Sequence, residues 1–199
     1  VTALMNKGTL GGAMTLNGTV KFANGGFESW FNSDYISRNL GEPFLTDNSF
    51  TFLCTYNLTD LATGGTTGKW FSTLYSGNVA NRVQAIQFGG DTIMDAFANN
   101  VRYSNSQTEN TSLKTLLISY DLQTQTLISI NYNGATQTDN NVIFNNTGSS
   151  NIYLMNAVFS PSTSTGQNNP LHEFRLYNRA MSLTQLQDLQ TELNNKYTP

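Results

Sequence analysis

Aromatic rings and hydrogen-bonding side chains are concentrated between Trp70 and Asn105. Flat apolar rings stack on the C–H faces of sugars, and amide, carboxylate and guanidinium groups bind sugar hydroxyls. The residues of this segment that combine the two chemistries are the predicted ligand-binding residues: Trp70, Tyr75, Asp91, Asp95, Asn99, Asn100, Arg102, Tyr103 and Asn105. Arg102 and Tyr103 directly follow Asn99-Asn100, which indicates a surface built from a loop and a strand.

The two tryptophans are each open to a second interpretation. Trp70 alternates with Ser72 and Leu74, and this pattern equally predicts a ring that faces the core. Trp30, in Phe27-Glu-Ser-Trp-Phe31, is a second candidate ring, although its position is more typical of a core residue. The sequence leaves both choices open.

The carboxylates do not form a pattern suited to catalysis. Asp91 and Asp95 are four positions apart, and on an extended strand they share a face about 13 Å apart. That separation is wide for inverting glycoside hydrolysis and far too wide for retaining chemistry. No Ser-His-Asp signature, Gly-Lys phosphate loop or zinc-ligand cluster is present. We therefore expect no catalytic residues, and we expect the single histidine, His172, to be structural.

Calcium is the metal for which the chain offers oxygen ligands. Asp91 with Asp95, or Asp139 with Asn140 and Asn141, have side chains of the type that calcium prefers. No dense Asp-x-Asp run accompanies them. The sequence therefore assigns no metal or cofactor and leaves calcium as an open alternative.

Composition narrows the class of protein. The chain has 199 residues, of which only 12% are charged, and a net charge of −3 without a basic cluster. Binding to nucleic acid through phosphate neutralisation is therefore not expected. No apolar run approaches the roughly 20 residues of a membrane-spanning helix. Cys54 is alone, so no internal disulfide forms, and its apolar surroundings predict a buried thiol.

The order of short segments predicts an all-β fold. Strand-like runs are separated by turn signals, as in the alternating Val83–Phe88, which stops at Gly89-Gly90. Asn133-Gly134 after an apolar strand is a strong hairpin signal. Near the end, Ser182 and Gln185 form a capping box, and leucines then recur at helical spacing. We expect one domain over residues 1–199: an antiparallel two-sheet sandwich closed by a C-terminal helix.

The C-terminal sequence Leu171-His-Glu-Phe-Arg-Leu-Tyr-Asn-Arg-Ala-Met-Ser182 and its helix resemble the ending of concanavalin A-like jelly rolls of the laminin-G-like and pentraxin-like type. Phe50–Tyr56, Leu116–Asp121, Ile130–Gly134 and Ile152–Met155 are similar to strands of that family, in the same order. The resemblance covers nearly the whole chain and implies a jelly roll. Within the terminal motif, Arg179 is expected to pair with Glu173 or with carbonyls at the helix end.

The resemblance also implies a function. Members of this class bind glycans or proteins, and the hydrolases among them carry Glu-x-Asp-x-x-Glu on one strand, a motif absent from the five glutamates here. Similar modules occur in tail and adhesion proteins of phages that infect Gram-positive bacteria. We expect a non-catalytic module of a larger extracellular or virion-associated protein that binds cell-surface polysaccharide of a Gram-positive host. A protein-binding or structural spacer domain is the alternative, followed by a polysaccharide hydrolase.

Overall fold

The computed structural model describes residues 3–5, 13–23, 26–28, 35–57, 69–76, 78–88, 91–108, 112–145, 148–154 and 170–197. Two antiparallel sheets and a C-terminal helix make up these residues. Trp30 lies outside them. The all-β sandwich with a closing helix is confirmed.

One sheet, named here the front sheet, has eight described strands. In their order across the sheet they are β1 (Ala3–Met5), β2 (Ala13–Asn17), β5 (Tyr35–Asn39), β14 (Ser150–Leu154), β7 (Lys69–Ser76), β8 (Asn78–Phe88), β9 (Asp91–Ala98) and β10 (Val101–Thr108). The strands β7 to β10 follow one another along the chain as a meander. Asn99 and Asn100 make the turn between β9 and β10 with φ angles of 50° and 67°, values that Asn tolerates better than most residues.

The second sheet, named the back sheet, has seven described strands. In spatial order they are β13 (Thr136–Asp139), β12 (Thr126–Ile130), β11 (Leu113–Asp121), β6 (Phe50–Asn57), β15 (Leu171–Tyr177), β4 (Gly26–Glu28) and β3 (Lys21–Ala23). The predicted Asn133-Gly134 hairpin is confirmed, since β12 pairs with β13 and Gly134 adopts a φ of 82°. A short helix, α1 (Phe44–Asp47), precedes β6.

The main core lies between the sheets and follows from strand alternation. Along β6, Phe50, Phe52 and Cys54 point into this core, whereas Leu53 points to the opposite face of the back sheet. The front sheet contributes the alternate residues of its own strands, such as Leu74 and Met94. Cys54 is fully buried as predicted, and burial raises the pKa of its thiol to about 12.

The helix α2 (Leu183–Tyr197) covers the outer face of the back sheet. Leu186, Leu189 and Leu193 pack there against Leu53 and Leu117 in a second apolar cluster. The capping box is confirmed: the Ser182 amide donates to Gln185 Oε1 at 2.9 Å, and the Gln185 amide donates to Ser182 Oγ at 3.3 Å.

Of the two contacts predicted for Arg179, the pairing with Glu173 is wrong. Its carboxylate binds Arg175, Lys196 and Tyr197, so Glu173 ties β15 to the last turn of the helix. Arg179 instead contributes its backbone carbonyl, which accepts a hydrogen bond from Thr51 at 2.9 Å. Glu173 lies next to the C-terminal end of α2, which carries Lys196 and Tyr197. Arg179 precedes the N-terminal end of the helix, at Leu183.

Candidate functional site

The outer face of the front sheet is the candidate site. Helix α2 closes the corresponding face of the back sheet, whereas none of the described helices packs on the front sheet in this way. Because strand side chains alternate, residues flanking inward-facing Leu74, Val83 and Ala96 point outward. The pairing register sets them in two neighbouring cross-strand rows, listed here: Tyr153–Thr73–Gln84–Asp95–Ser104, and Asn151–Tyr75–Arg82–Phe97–Arg102.

Three tyrosines from three strands meet on this face. The ring centroids of Tyr35 and Tyr153 are 6.0 Å apart in an edge-on arrangement, and those of Tyr75 and Tyr153 are 6.5 Å apart. All three side chains are half-buried. Burial, with added contributions from Tyr35 and Tyr75, raises the pKa of Tyr153, so its hydroxyl stays protonated at neutral pH. The tyrosine cluster therefore offers apolar rings together with hydroxyls that can donate and accept hydrogen bonds.

Next to the tyrosines lies a guanidinium cluster around Phe97. The Cζ atom of Arg82 is 3.6 Å from the Phe97 ring centroid, and that of Arg102 is 5.7 Å from it. Burial lowers the pKa of Arg82 to about 10, with Asp95 raising it and Arg102 lowering it. Arg82 therefore still carries its charge at neutral pH.

Asp95 is the carboxylate of this cluster, and it is fully buried. Arg102 donates to it from Nη2 at 2.8 Å and from Nε at 3.2 Å, and Gln84 Nε2 donates at 3.3 Å. Arg82 Nε in turn donates to Gln84 Oε1 at 2.9 Å. A buried carboxylate requires such partners, because an unpaired one costs several kcal/mol. The network therefore holds Arg82 and Arg102 in fixed positions on the face.

The side chains in the middle of the first row, those of Thr73, Gln84 and Asp95, are polar and closed off from solvent. Thr73 is fully buried and Gln84 is 3% exposed, although both point outward from the sheet. Within the described part of the chain, Thr73 Oγ1 has no hydrogen-bond partner.

The structure brings together some of the nine predicted residues. Tyr75, Asp95 and Arg102 lie on the outer face in the two rows. Asp91 lies further along β9, where its carboxylate accepts a hydrogen bond from Ser106 at 2.9 Å. Asn99 is exposed at the turn, and its backbone amide donates to Asn81 Oδ1.

Two of the predicted residues face the other way. Tyr103 packs against the core between the sheets. Asn105 is 5% exposed and donates to the carbonyls of Ser129 and Ala135 on the back sheet. The outward position expected for Tyr103 and Asn105 is therefore wrong. Arg102 and Ser104 point outward from β10, so alternation requires Tyr103 and Asn105 to point inward.

Asn100 and Trp70 complete the set. The Asn100 amide donates to the Ala80 carbonyl at 3.2 Å, so this residue closes the turn between strands. Trp70 pairs in register with Ile86, and the ladder is irregular between Trp70 and Ser72. Its side chain lies outside the described part of the structure.

Sequence reasoning missed five residues of the two clusters: Tyr35, Arg82, Gln84, Phe97 and Tyr153. A signal was present in the alternation. Tyr153 stands between Ile152 and Leu154, whose inward direction requires Tyr153 to face outward. Arg82 and Gln84 similarly flank the inward Val83.

The described residues show no group of three or more His, Cys, Asp or Glu side chains that could hold a metal. The carboxylate of Asp95 is engaged by Arg102. Asp139 accepts a hydrogen bond from Gln137 at 2.8 Å, and Asn140 Oδ1 accepts one from Thr126. Asp95, Asp139 and Asn140, named as possible calcium ligands, thus each have a side-chain partner in the protein.

A second concavity lies at the start of α2. This open groove of about 410 Å³ is lined by Ser119, Asp121, Thr124, Thr126, Ile128, Ala180, Met181 and Ser182. Its lining includes no aromatic ring, and Ser119 Oγ is already bonded to Thr51 and to the Met181 amide. The outer face of the front sheet is therefore the better candidate site.

Comparison with known proteins identifies the fold. No protein-family model matches the chain, and no curated protein sequence does. In the described residues, no helix has the length and apolar character needed to cross a membrane.

Among solved structures, the chain is similar to the binding domain of botulinum neurotoxin serotype G, with a TM-score of 0.70 and 12% identity over 98% of this chain and 49% of that one. It is also similar to the binding domain of botulinum neurotoxin DC in complex with SialylT, with a TM-score of 0.68 and 11% identity over 95% and 48%. A third match, with a TM-score of 0.67 and 11% identity over 97% and 51%, is botulinum neurotoxin type C, whose cell entry depends upon interaction with two ganglioside molecules. The chain spans about half the length of these structures, and at such identities the likeness establishes the fold.

Proposed function

We propose that the chain is a non-catalytic saccharide-binding domain and that its binding surface is the outer face of the front sheet. The observation that carries this proposal is the contact between Tyr35, Tyr75 and Tyr153 beside the polar network of Arg82, Gln84 and Asp95. Rings supply contact area for sugar C–H faces, and the neighbouring donors and acceptors fix the hydroxyls.

The chemistry of this face also argues against catalysis at the same place. Asp95 is paired with Arg102, so it is held as an ion-pair partner and not as a free acid or nucleophile. Asp91 points the same way along β9 but bonds to Ser106. Several similar structures are receptor-binding or binding domains, which supports a binding role for this chain as well.

The finer role that we propose is adhesion. The saccharide belongs to the surface of a Gram-positive cell, and the chain works as a module of an extracellular or virion-associated phage tail or adhesion protein. Single sites of this type bind near millimolar, which is about −4 kcal/mol. Strong attachment then requires many copies on one particle, because linked sites gain effective concentration.

The tyrosine cluster gives the direct test. Tyr75→Ala and Tyr153→Ala each remove a ring and are expected to weaken saccharide binding by about two- to tenfold, the loss of one stacking contact. Tyr75→Phe and Tyr153→Phe are the matched controls, since they keep the rings and remove only the hydroxyls. Binding is measured by isothermal titration calorimetry against polysaccharides prepared from bacterial surfaces, and circular dichroism verifies the fold of each variant.

Two outcomes contradict the proposal. Alanine variants that are folded and bind as tightly as the wild type remove the tyrosine cluster from the site. A wild-type chain that binds no polysaccharide and no whole cell, even when displayed in many copies on a bead, favours the protein-binding or spacer role. Release of reducing ends from a polysaccharide would support a hydrolase instead.

A further inference from the structure

The three tyrosine rings form a diagonal row across the front sheet. Tyr35, Tyr153 and Tyr75 lie on the neighbouring strands β5, β14 and β7. Tyr153 is paired with Ser37 and with Thr73, so Tyr35 and Tyr75 each lie two residues away from its level, in opposite directions along the strands. Centroid distances of 6.0 and 6.5 Å place the middle ring in contact with both outer rings. The row is therefore continuous and runs obliquely to the strands.

The length of this row exceeds that of one sugar. The backbones that carry Tyr35 and Tyr75 are two strands apart in the sheet, which is about 10 Å at the usual strand spacing. A pyranose ring is comparable in size with one phenol ring, so a single sugar cannot contact all three tyrosines. A glycan that uses the whole row must therefore present several sugars in sequence.

The rings of the row are not coplanar. The plane of the Tyr153 ring is inclined by 66° to that of Tyr35 and by 50° to that of Tyr75. A flat surface, such as the face of a crystalline polysaccharide, cannot contact three rings inclined in this way. A single chain can do so, because rotation about its glycosidic bonds turns successive sugars relative to one another. The geometry thus favours one separate glycan chain.

The polar side chains at the two ends of the row are amides. Asn17 is paired with Tyr35 across β2 and β5, and its Nδ2 donates to Ser37 Oγ at 3.0 Å. At the other end, Asn151 is paired with Tyr75 across β14 and β7. Both amides are half-buried and uncharged, and an amide both donates to and accepts from a sugar hydroxyl. The row thus has hydrogen-bonding groups at each end as well as apolar rings along its length.

We propose that the outer face binds an internal, linear segment of a glycan chain, which lies along the row Tyr35–Tyr153–Tyr75 with one sugar at each ring. This inference rests on the proposed saccharide-binding function and specifies which part of the polysaccharide is bound. An internal segment recurs many times along one polymer, whereas a terminal sugar occurs once per chain end. Many copies of the domain can therefore bind the same polymer, which suits attachment through many weak sites.

The first test is a length series on the unaltered chain, so that the folding of variants plays no part. The cell-surface polysaccharide that binds in calorimetry is cut by partial acid hydrolysis, and fragments of one to six sugars are separated by size. Affinity is expected to rise about two- to tenfold with the second sugar and again with the third, one ring contact for each. It should change little beyond the third. A single sugar that binds as tightly as the longest fragment would overturn the proposal.

Ring deletions at the ends and in the middle of the row have different expected results. Tyr35→Ala and Tyr75→Ala each remove an end ring, so the rise in affinity should stop at the second sugar, and fragments of one and two sugars should bind almost as before. Tyr153→Ala separates the two end rings, so the gain from the second sugar should disappear while the third sugar still adds affinity. Phe at each of these positions keeps the ring and should retain the wild-type dependence on length.

The two proposals fail in different ways. Alanine variants that are folded by circular dichroism and keep the wild-type dependence on length overturn the row as the binding surface of the chain. Affinity that is independent of length in the wild type overturns the internal-segment inference and leaves saccharide binding in place. No binding of any fragment or polysaccharide overturns the saccharide-binding function, and the inference with it.

Discussion

Replacing Glu173 with Gln tests how the C-terminal helix is held. The carboxylate of Glu173 accepts hydrogen bonds from Arg175, from Lys196 at 2.8 Å and from Tyr197 at 2.6 Å. Burial of Glu173 raises its pKa, but these hydrogen bonds and the charge of Arg175 outweigh burial and lower the pKa from 4.5 to about 2. Glutamine keeps the size of the side chain and removes its charge.

The pKa of Glu173 sets the size and the sign of the effect. A decrease of more than two pKa units corresponds to roughly 3 kcal/mol of preference for the ionised form in the folded state. Lys196 is 50% exposed, so solvent screens part of its attraction to Glu173. We therefore expect Glu173→Gln to lower the free energy of unfolding by about 1–2 kcal/mol at pH 7. Because the folded pKa is depressed, this stabilisation is complete above pH 4.5 and is lost as the pH falls towards 2.

Urea unfolding at pH 7, 5 and 3, followed by circular dichroism, measures the difference between wild type and variant. The loss at pH 7 should lower the melting temperature by about 2–8 °C for a chain of this length. Glu192→Gln is the matched control, because Glu192 is 61% exposed and has one contact with Arg175 at 3.4 Å, so its removal should change stability by less than about 0.5 kcal/mol. Equal losses for the two variants, or a loss for Glu173→Gln that stays constant down to pH 3, would refute the reasoning.

Two further predictions concern Cys54 and Gly134. Cys54 is fully buried and the pKa of its thiol is about 12. It should therefore resist iodoacetamide at pH 8 in the folded protein and react quickly in urea. Fast labelling of the folded chain, measured by mass spectrometry, would contradict its burial. Gly134 has a φ of 82°, and nothing lies within 4 Å of an added Cβ. Gly134→Ala should therefore lower the free energy of unfolding by about 1 kcal/mol through backbone strain alone. Gly134→Asn should lower it by less, because Asn tolerates this conformation. Equal urea midpoints for the Ala variant and the wild type would show that this turn adopts another conformation.

The sandwich could be predicted because its strands carry strong local signals. The strand β6 is rich in Phe and Thr, and Asn133-Gly134 marks the hairpin of β12 and β13 by turn chemistry alone. The capping box of Ser182 and Gln185 likewise depends on residues three positions apart. The strand β5 has no such signal, since its five residues combine two apolar side chains with Ser, Arg and Asn. Such short, mixed segments become strands only when neighbouring strands pair with them.

The candidate site could be predicted only in part, because it depends on pairing between distant strands. Tyr35 and Tyr153 lie far apart in the sequence, and they meet because β5 pairs with β14. Tyr75 joins them through the pairing of β14 with β7. The surface position expected for Asn105 was wrong. Its polar amide suggested exposure, but strand alternation turns the side chain inward, where it donates to the carbonyls of Ser129 and Ala135.

A binding surface made from strands has an energetic consequence. Rings on a mobile loop lose conformational entropy when a ligand orders them, at roughly 0.5–1.5 kcal/mol for each immobilised side chain. Tyr75 and Tyr153 are already half-buried against each other, and Arg102 is already held by a fully buried carboxylate. Under the proposed function, little further ordering is needed on binding, so even a few stacking and hydrogen-bonding contacts can produce measurable affinity. The buried side chains of Thr73, Gln84 and Asp95 then serve to hold the neighbouring rings and guanidiniums in place. Substitutions at these three positions should weaken binding, although their side chains do not contact the ligand.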